Sequence, residues 1–292
     1  MLRDLLVTRF FFWNFRPPRE IEDPAAIVAR TALHHEADLI LLTESTVPPG
    51  LVLNELNREE TRFHYAAGPN QRFQIFTRFK ASFLDRFEDH PRMTVRRLRL
   101  PGMMEILTAV IHFPERRNHS PSEQRSLCFE LAQFLRDAEQ KARHRRTILV
   151  GDFNMNPFDE GMVDANGFGA MMTKGLTRQA VDSNLDERPR FYNPMWSRLG
   201  DMSEGPPGTY YHRQRGRTNI YWHTLDQVLI RPELLDAFIG PSLQVLEKGL
   251  SASGEIALQR ETKRHSKLLV SDHLPILFTV DLPQDTRHEQ AS

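Results

Sequence analysis

Apolar residues recur along the chain in short runs, separated by polar and helix-forming segments. Leu5 to Phe12, ending in Trp13-Asn14, is rich in aromatic and β-branched residues at strand length and predicts a buried strand. Ala25 to Ala37, opened by Pro24, reads as a helix, and the continuous apolar run from Asp38 to Glu44 reads as a strand covered on both faces. Strand, helix, strand in that order predicts an α/β fold. The clearest helix starts at Ser120-Pro121-Ser122-Glu123, which supplies an N-cap serine, a proline in the first turn and a capping-box glutamate. Leu127, Leu131, Leu135, Ala138 and Ala142 mark its apolar face, and the basic run Lys141 to Arg146 suits a helix end. Strands are expected at Ile106 to Phe113, Thr147 to Val150, Thr224 to Ile230 and Leu274 to Val280.

Between these elements, seven of the 15 glycines fall between Met155 and Gly208, which predicts long, specificity-bearing loops there. Ser251 to Lys267 reads as a polar insertion with weak periodicity. No internal repeat or low-complexity linker divides the chain, so the expectation is one catalytic domain over residues 1–292, with insertions at about 155–208 and 251–267.

Composition narrows the class. The 292 residues carry 38 basic and 38 acidic side chains, so no global field draws the chain to nucleic acid or an anionic membrane, and 40% apolar content excludes global disorder. Cys128 is the single cysteine, which excludes an intramolecular disulfide and any Cys-x-x-Cys site and points to a reducing, cytoplasmic compartment. The first residues make a poor signal peptide, because Arg3, Asp4 and Arg9 interrupt them, and no run reaches the roughly 18 apolar residues of a membrane span. No obligate protein partner is evident.

Candidate chemistry gathers at the strand ends. Asn14 follows the first strand, Glu44 closes the second, His112 ends Ala109-Val110-Ile111, and Asp152 and Asn154 follow Ile148-Leu149-Val150. Asp226 lies inside Leu225 to Ile230, and Asp272-His273 precedes the last strand. Taken singly, such a residue is more often a turn former or a helix cap. Six strand ends marked in this way point to one polar site. A donor set of carboxylates, amides and imidazoles without thiolates favours a hard cation, Mg²⁺ or Mn²⁺.

Trp13-Asn14, Thr43-Glu44, Gly151-Asp152-Phe153-Asn154, Leu225-Asp226-Gln227-Val228 and Ser271-Asp272-His273-Leu274-Pro275-Ile276 resemble, in order, the motifs of the endonuclease/exonuclease/phosphatase superfamily. The resemblance spans about residues 5 to 281 and implies a four-layer sandwich, two mixed β-sheets flanked by helices, with the site at one edge. It implies a metal-dependent hydrolysis of phosphate esters by attack of water. By that resemblance Glu44, Asn14 and Asp272 hold the metal, and Asn14 and Asn154 contact the phosphate. Asp152 would orient and deprotonate the water, His273 would contact the phosphate with Asp226 behind it, and His112 matches a histidine of the deoxyribonuclease-like branch. Thr43 stands where the family usually has glutamine, while Asn156 and Leu225 depart from the inositol-phosphatase pattern. Asn154-Met155-Asn156-Pro157 is closer to the nuclease branches.

The expected function is therefore an Mg²⁺-dependent nuclease acting on DNA or RNA. A phosphodiesterase or phosphatase of a small or lipid-linked phosphate is the alternative, and a catalytically silent binding module the remaining one. Tyr210, Tyr211, His212, Arg213, Arg215, Arg217 and Trp222 form an aromatic and basic cluster suited to stacking bases and contacting phosphate, or equally to anchoring a loop. Arg92, Arg96, Arg97 and Arg99 are expected on a solvated strand face, and His34 and His35 on a helix surface.

Overall fold

The computed structural model describes residues 7–59, 63–115, 120–182, 188–212, 221–261, 266–268 and 270–285. Two mixed sheets hold the frame. The first contains β1 (Val7–Asn14), β2 (Leu39–Thr43), β3 (His64–Tyr65), β4 (Phe73–Thr77), β14 (Phe238–Val245) and β19 (Ile276–Asp281), in the order β14-β19-β1-β2-β4-β3. The second contains β5 (Leu84–His90), β6 (Met93–Leu98), β7 (Ile106–His112), β8 (Thr147–Asp152), β9 (Ala170–Met171), β10 (Phe191–Tyr192) and β13 (Asp226–Ile230), in the order β5-β6-β7-β8-β13-β10-β9.

Strand periodicity assembles the layers. In the second sheet Val110, Ile148, Val150, Val228 and Ile230 share a core with the first sheet. The alternate residues Leu107, Ala109, Ile111, Leu149 and Leu229 pack instead with Cys128, Leu131 and Leu135 of the long helix α3 (Pro121–Ala142). On the other side, Ile27 and Val28 of helix α1 (Pro24–His34) join the first sheet's core, with α2 (Pro49–Leu56) beside them. Phe10, Phe11 and Phe12 are all fully buried, because β1 is central and covered on both faces. Burying each such side chain is worth about 1.5–3 kcal/mol. Both helix starts follow from sequence. Ser120 accepts from the Glu123 amide at 3.3 Å, and the Glu123 carboxylate accepts from the Ser120 amide at 2.7 Å, which closes the capping box. Asp23 caps α1 by accepting from the Ala26 amide at 3.2 Å.

Several expectations are corrected. Residues 155–208 are not loops alone: they contribute β9 and β10 to the second sheet, with the short helices α4 (Glu160–Val163) and α5 (Lys174–Asp182). The polar stretch from Ser251 onward forms two small ribbons, β15 (Lys248–Ser251) with β16 (Gly254–Ala257) and β17 (Gln259–Glu261) with β18 (Ser266–Leu268). A two-stranded ribbon on the surface buries little, so apolar alternation could not announce it. Arg96 does not face solvent. It is 3% exposed and lies against Gly68, where a Cβ would come within 2.4 Å of its Nη2. Arg97 is half-buried between Glu105 and the Phe87 ring. No helix among the described residues is long and apolar enough to cross a membrane.

Candidate active site

Two registers bring the polar strand ends together. In the second sheet His112 pairs with Asp152 and Asp152 with Asp226, so three side chains stand in one cross-strand row. This row continues the inward-facing row of Val110, Val150 and Val228, two residues away on each strand, and therefore points at the first sheet. Asn14 ends β1 there, rather than following it, and lies opposite Thr43. Gly151 permits this pairing, since a Cβ at that position would sit 1.9 Å from the Ile111 carbonyl oxygen of the neighbouring strand.

Asp152 is the hub. Its Oδ2 accepts from Asn14 Nδ2 at 2.8 Å and Asn154 Nδ2 at 3.1 Å, and its Oδ1 accepts from the Asn154 amide at 2.7 Å. That last contact is an Asx turn, and Asn154 completes it at φ 49°, a left-handed conformation asparagine tolerates. His112 Nε2 lies 3.9 Å from Asp152 Oδ2 and 3.1 Å from Glu44 Oε1. Glu44 itself sits just beyond β2 at φ 54°, uncommon for a residue with a long side chain, and its carboxylate remains 27% exposed at the mouth. Arg16 approaches its other oxygen at 3.9 Å.

The imidazole end is equally constrained. His273 Nδ1 donates to Asp226 Oδ2 at 2.8 Å, and the Trp13 indole donates to the His273 carbonyl at 2.8 Å. Thr209 Oγ1 accepts from the Leu225 and Asp226 amides, and Ser271 Oγ donates to the Asn14 carbonyl at 3.0 Å. Thr209 is a positioning group outside every motif, and the positioning contacts of Trp13 and Ser271, which stand inside motifs, could not be read from them, because their partners lie far away in sequence.

Burial and charge set the protonation states. Burial pushes the Asp152 carboxyl up to about 7, with His273 pulling it down and Asp226 pushing it up. Burial alone would lower His273, but the charges of Asp226 and Asp152 and the hydrogen bond to Asp226 raise it to about 10. The hydrogen bond from His112 holds Glu44 below the usual carboxylate range against the cost of burial. The site thus holds a charged imidazole beside a carboxylate matched to proton exchange near neutrality.

Three buried polar atoms of the site lack a hydrogen-bond partner among the described residues: Asn14 Oδ1, His112 Nδ1 and Asp226 Oδ1. Asp152, Asp226 and His273 place one donor atom each within 4.8 Å of one another. Unsatisfied buried oxygens beside the partly exposed Glu44 carboxylate fit a hard divalent cation. Glu44, Asn14 and Asp226 are the residues best disposed to supply oxygens to it.

The structure brings together Asn14, Glu44, His112, Asp152, Asn154, Asp226 and His273. Asp226 opens β13 rather than lying within it. Asp272 is exposed and adds its charge to His273. In the ribbon of β11 (Tyr210–Tyr211) and β12 (Trp222–His223), Tyr210 pairs with His223 and its ring lies 4.9 Å from His273. Trp222 pairs with Tyr211 on the opposite face and packs on the core, away from the imidazole. Arg213, Arg215 and Arg217 lie outside the described residues.

Comparison with known proteins agrees with this fold. Truncated Caenorhabditis elegans TDP2 shares the fold at 13% identity, with a TM-score of 0.55 over 94% of this chain and 97% of that one. The endonuclease domain of TRAS1, a telomere-specific non-LTR retrotransposon, matches at 17% identity and TM-score 0.51, over 94% and 98% of the two chains. D. rerio TDP2 complexed with a single-strand DNA product matches at 14% identity and TM-score 0.51, over 94% and 98%. Among curated proteins no relative matches at a significant level. Residues 13–273, which run from Trp13 to His273 and enclose every residue of the site, match the Endonuclease/Exonuclease/phosphatase family, and the chain belongs to that family of metal-dependent phosphoric ester hydrolases.

Proposed function

We propose that the protein is an Mg²⁺- or Mn²⁺-dependent nuclease that hydrolyses a phosphodiester of DNA or RNA by attack of water. The observation that carries the reading is the single mouth at which Asp152, protonated His273 and the unsatisfied oxygens of Asn14 and Asp226 converge. A bound divalent cation would supply positive charge against the phosphate oxygens, where negative charge grows in the transition state. Asp152 orients the attacking water and takes its proton, and its raised pKa suits that exchange. His273, kept charged by Asp226, donates a hydrogen bond to a non-bridging phosphate oxygen. Asn14 and Asn154 hold Asp152 in orientation through their amides. Tyr210, its ring tilted against His273, offers a face to a neighbouring base. A structural neighbour complexed with single-strand DNA product supports a nucleic-acid substrate. The reading takes the chain as one catalytic unit in a reducing cytoplasm, where the buried, unpaired Cys128 needs no partner.

The test is a substrate panel of plasmid, single-stranded DNA, RNA and a simple phosphodiester dye, each with Mg²⁺ or Mn²⁺. Cleavage of a nucleic acid, lost in Asp152→Asn, is expected. Cleavage of the dye alone would favour a small-phosphate enzyme, and cleavage of nothing would overturn the hydrolase reading for this chain.

A further inference from the structure

The two rows of the site extend beyond Glu44 and His112 to a pair of arginines. In the first sheet Thr43, the last residue of β2, pairs with Phe73, the first of β4, so Glu44 leaves β2 at the level where Arg72 enters β4. In the second sheet Met93 pairs with Ile111, and the His112 amide donates to the Arg92 carbonyl at 3.0 Å, which sets Arg92 beside His112. The ion pair of Glu44 with His112 joins the two sheets at this level, so Arg72 and Arg92 flank the site on the side away from His273.

Their backbones are held firmly. Asn70 Oδ1 accepts from the Arg72 amide at 3.1 Å, while Asn70 Nδ2 donates to the Pro91 carbonyl at 2.9 Å and the His90 carbonyl at 3.3 Å. The Arg92 amide donates to His90 Nδ1 at 3.1 Å. One asparagine thus clasps the segment before β4 to the turn before β6, across the two sheets.

Their charges are not satisfied. Arg78, Arg86, Arg97 and Arg99 each meet a carboxylate: Asp38, Asp89, Glu105 and Asp85 respectively. Neither the Arg72 nor the Arg92 guanidinium has an ion-pair or hydrogen-bond partner among the described residues. Burial and then the like charge of Arg72 push Arg92 below the ordinary guanidinium range, and Glu44 draws it back only in part. Two facing cations beside an active-site mouth cost stability unless an anion joins them.

We propose that Arg72 and Arg92 form a second anion subsite that takes a backbone phosphate flanking the scissile one, so that the enzyme selects polynucleotide chains over isolated diesters. The proposal rests on the nuclease reading above and adds the group that recognises chain length. Arg92 stands two strand spacings from Asp152, about 10 Å, beyond the reach of a single diester seated at Asp152 and within reach of the next phosphates of a strand. The planar guanidinium fork suits bidentate phosphate contact.

The test measures anisotropy of a fluorescent single-stranded oligonucleotide with wild-type protein, Arg72→Gln, Arg92→Gln and the double variant, in EDTA, across a salt series. The double variant is expected to bind on the order of tenfold more weakly, with the slope of log K against log salt reduced by about 1.4, two single-strand contacts at about 0.7 each. Its thermal midpoint should not fall, because a like-charge pair is being removed. With metal present, its loss of kcat/KM on the oligonucleotide should exceed its loss on a phosphodiester dye by about tenfold and should appear mainly in KM. Unchanged affinity and salt slope, absence of oligonucleotide binding by the wild type, or equal losses on both substrates would overturn the subsite. Oligonucleotide bound as expected but never hydrolysed would leave the subsite standing and remove the nuclease reading instead.

Discussion

Strand β13 carries a buried charge at each end, and the two ends differ in how those charges are satisfied. Arg231, directly after the strand, is 2% exposed, and its guanidinium makes a bidentate pair with Glu139 at 2.7 and 3.0 Å. Its remaining donors meet the carbonyls of Pro189 and Arg190, and its plane stacks on Phe191 at 3.7 Å. Every polar atom has a partner, so this end is a closed network that ties α3 to the second sheet. Asp226, at the other end, is fully buried too, yet among the described residues its Oδ1 is unpartnered, as are Asn14 Oδ1 and His112 Nδ1 nearby. Buried charge that is completely satisfied serves the fold. Buried charge left partly open, beside a partly exposed carboxylate, is waiting for a ligand.

Substitution should separate the two ends, and the largest effect belongs to the open one. Asp152→Asn and His273→Ala should each lower kcat/KM for phosphodiester hydrolysis by about 10³-fold or more, and Asp152→Asn, which keeps the shape of the carboxylate, should leave the thermal midpoint nearly unchanged; steady-state kinetics and a melting curve read both. At the closed end the sign of the result reverses. Arg231→Met leaves the Glu139 carboxylate buried and uncompensated and should cost about 3–5 kcal/mol in urea unfolding, while the folded fraction keeps its kcat. Replacing both partners, as Arg231→Met with Glu139→Leu, should recover most of that loss. An Arg231 variant that folded normally but lost activity would erase the distinction.

Smaller effects sharpen it. Glu44→Gln should weaken Mg²⁺ binding by about tenfold or more, read as the concentration dependence of the thermal midpoint. The pH dependence of the same shift has a definite sign. Without metal, the folded chain keeps a proton on Asp152 up to about 7, whereas the unfolded chain releases it near the ordinary value of 3.8. Folded protein therefore binds more protons across that window, and its stability falls as pH rises through it. A cation competes with that proton, so the stabilisation by Mg²⁺ should be greater near pH 8 than near pH 5.5. In Asp152→Asn the difference should vanish.

Much of this contrast was already written in the sequence. Gly151-Asp152-Phe153-Asn154 and Ser271 to Ile276 mark the site because local chemistry demands them: a glycine under a neighbouring carbonyl, an Asx turn, a histidine entering a strand. The capping box at Ser120 fixed the start of α3 to the residue. What local pattern does not carry is partnership. Arg96 alternates like any surface arginine but lies buried against Gly68. Trp222 and Tyr210 sit in one aromatic cluster of the sequence, yet the ribbon's two faces send only Tyr210 to His273. The basic funnel expected at Arg213 to Arg217 lies outside the described residues, and the cationic pair that flanks the site, Arg72 with Arg92, comes from segments twenty residues apart.

The sequence by itself determined which side chains end which strands, since strand periodicity and turn chemistry are local properties of neighbouring residues. It also determined that the polar strand ends carry carboxylates, amides and imidazoles rather than thiolates. Only the tertiary structure decided that Asn14 reaches Asp152 across two sheets, that Asp272 stays exposed beside the buried His273, and that the charge of Arg72 bears on Arg92. The physical reason is register: the pairing of β7, β8 and β13, and of β1, β2 and β4, sets distant residues side by side. It is the sum of many strand contacts that no single motif contains.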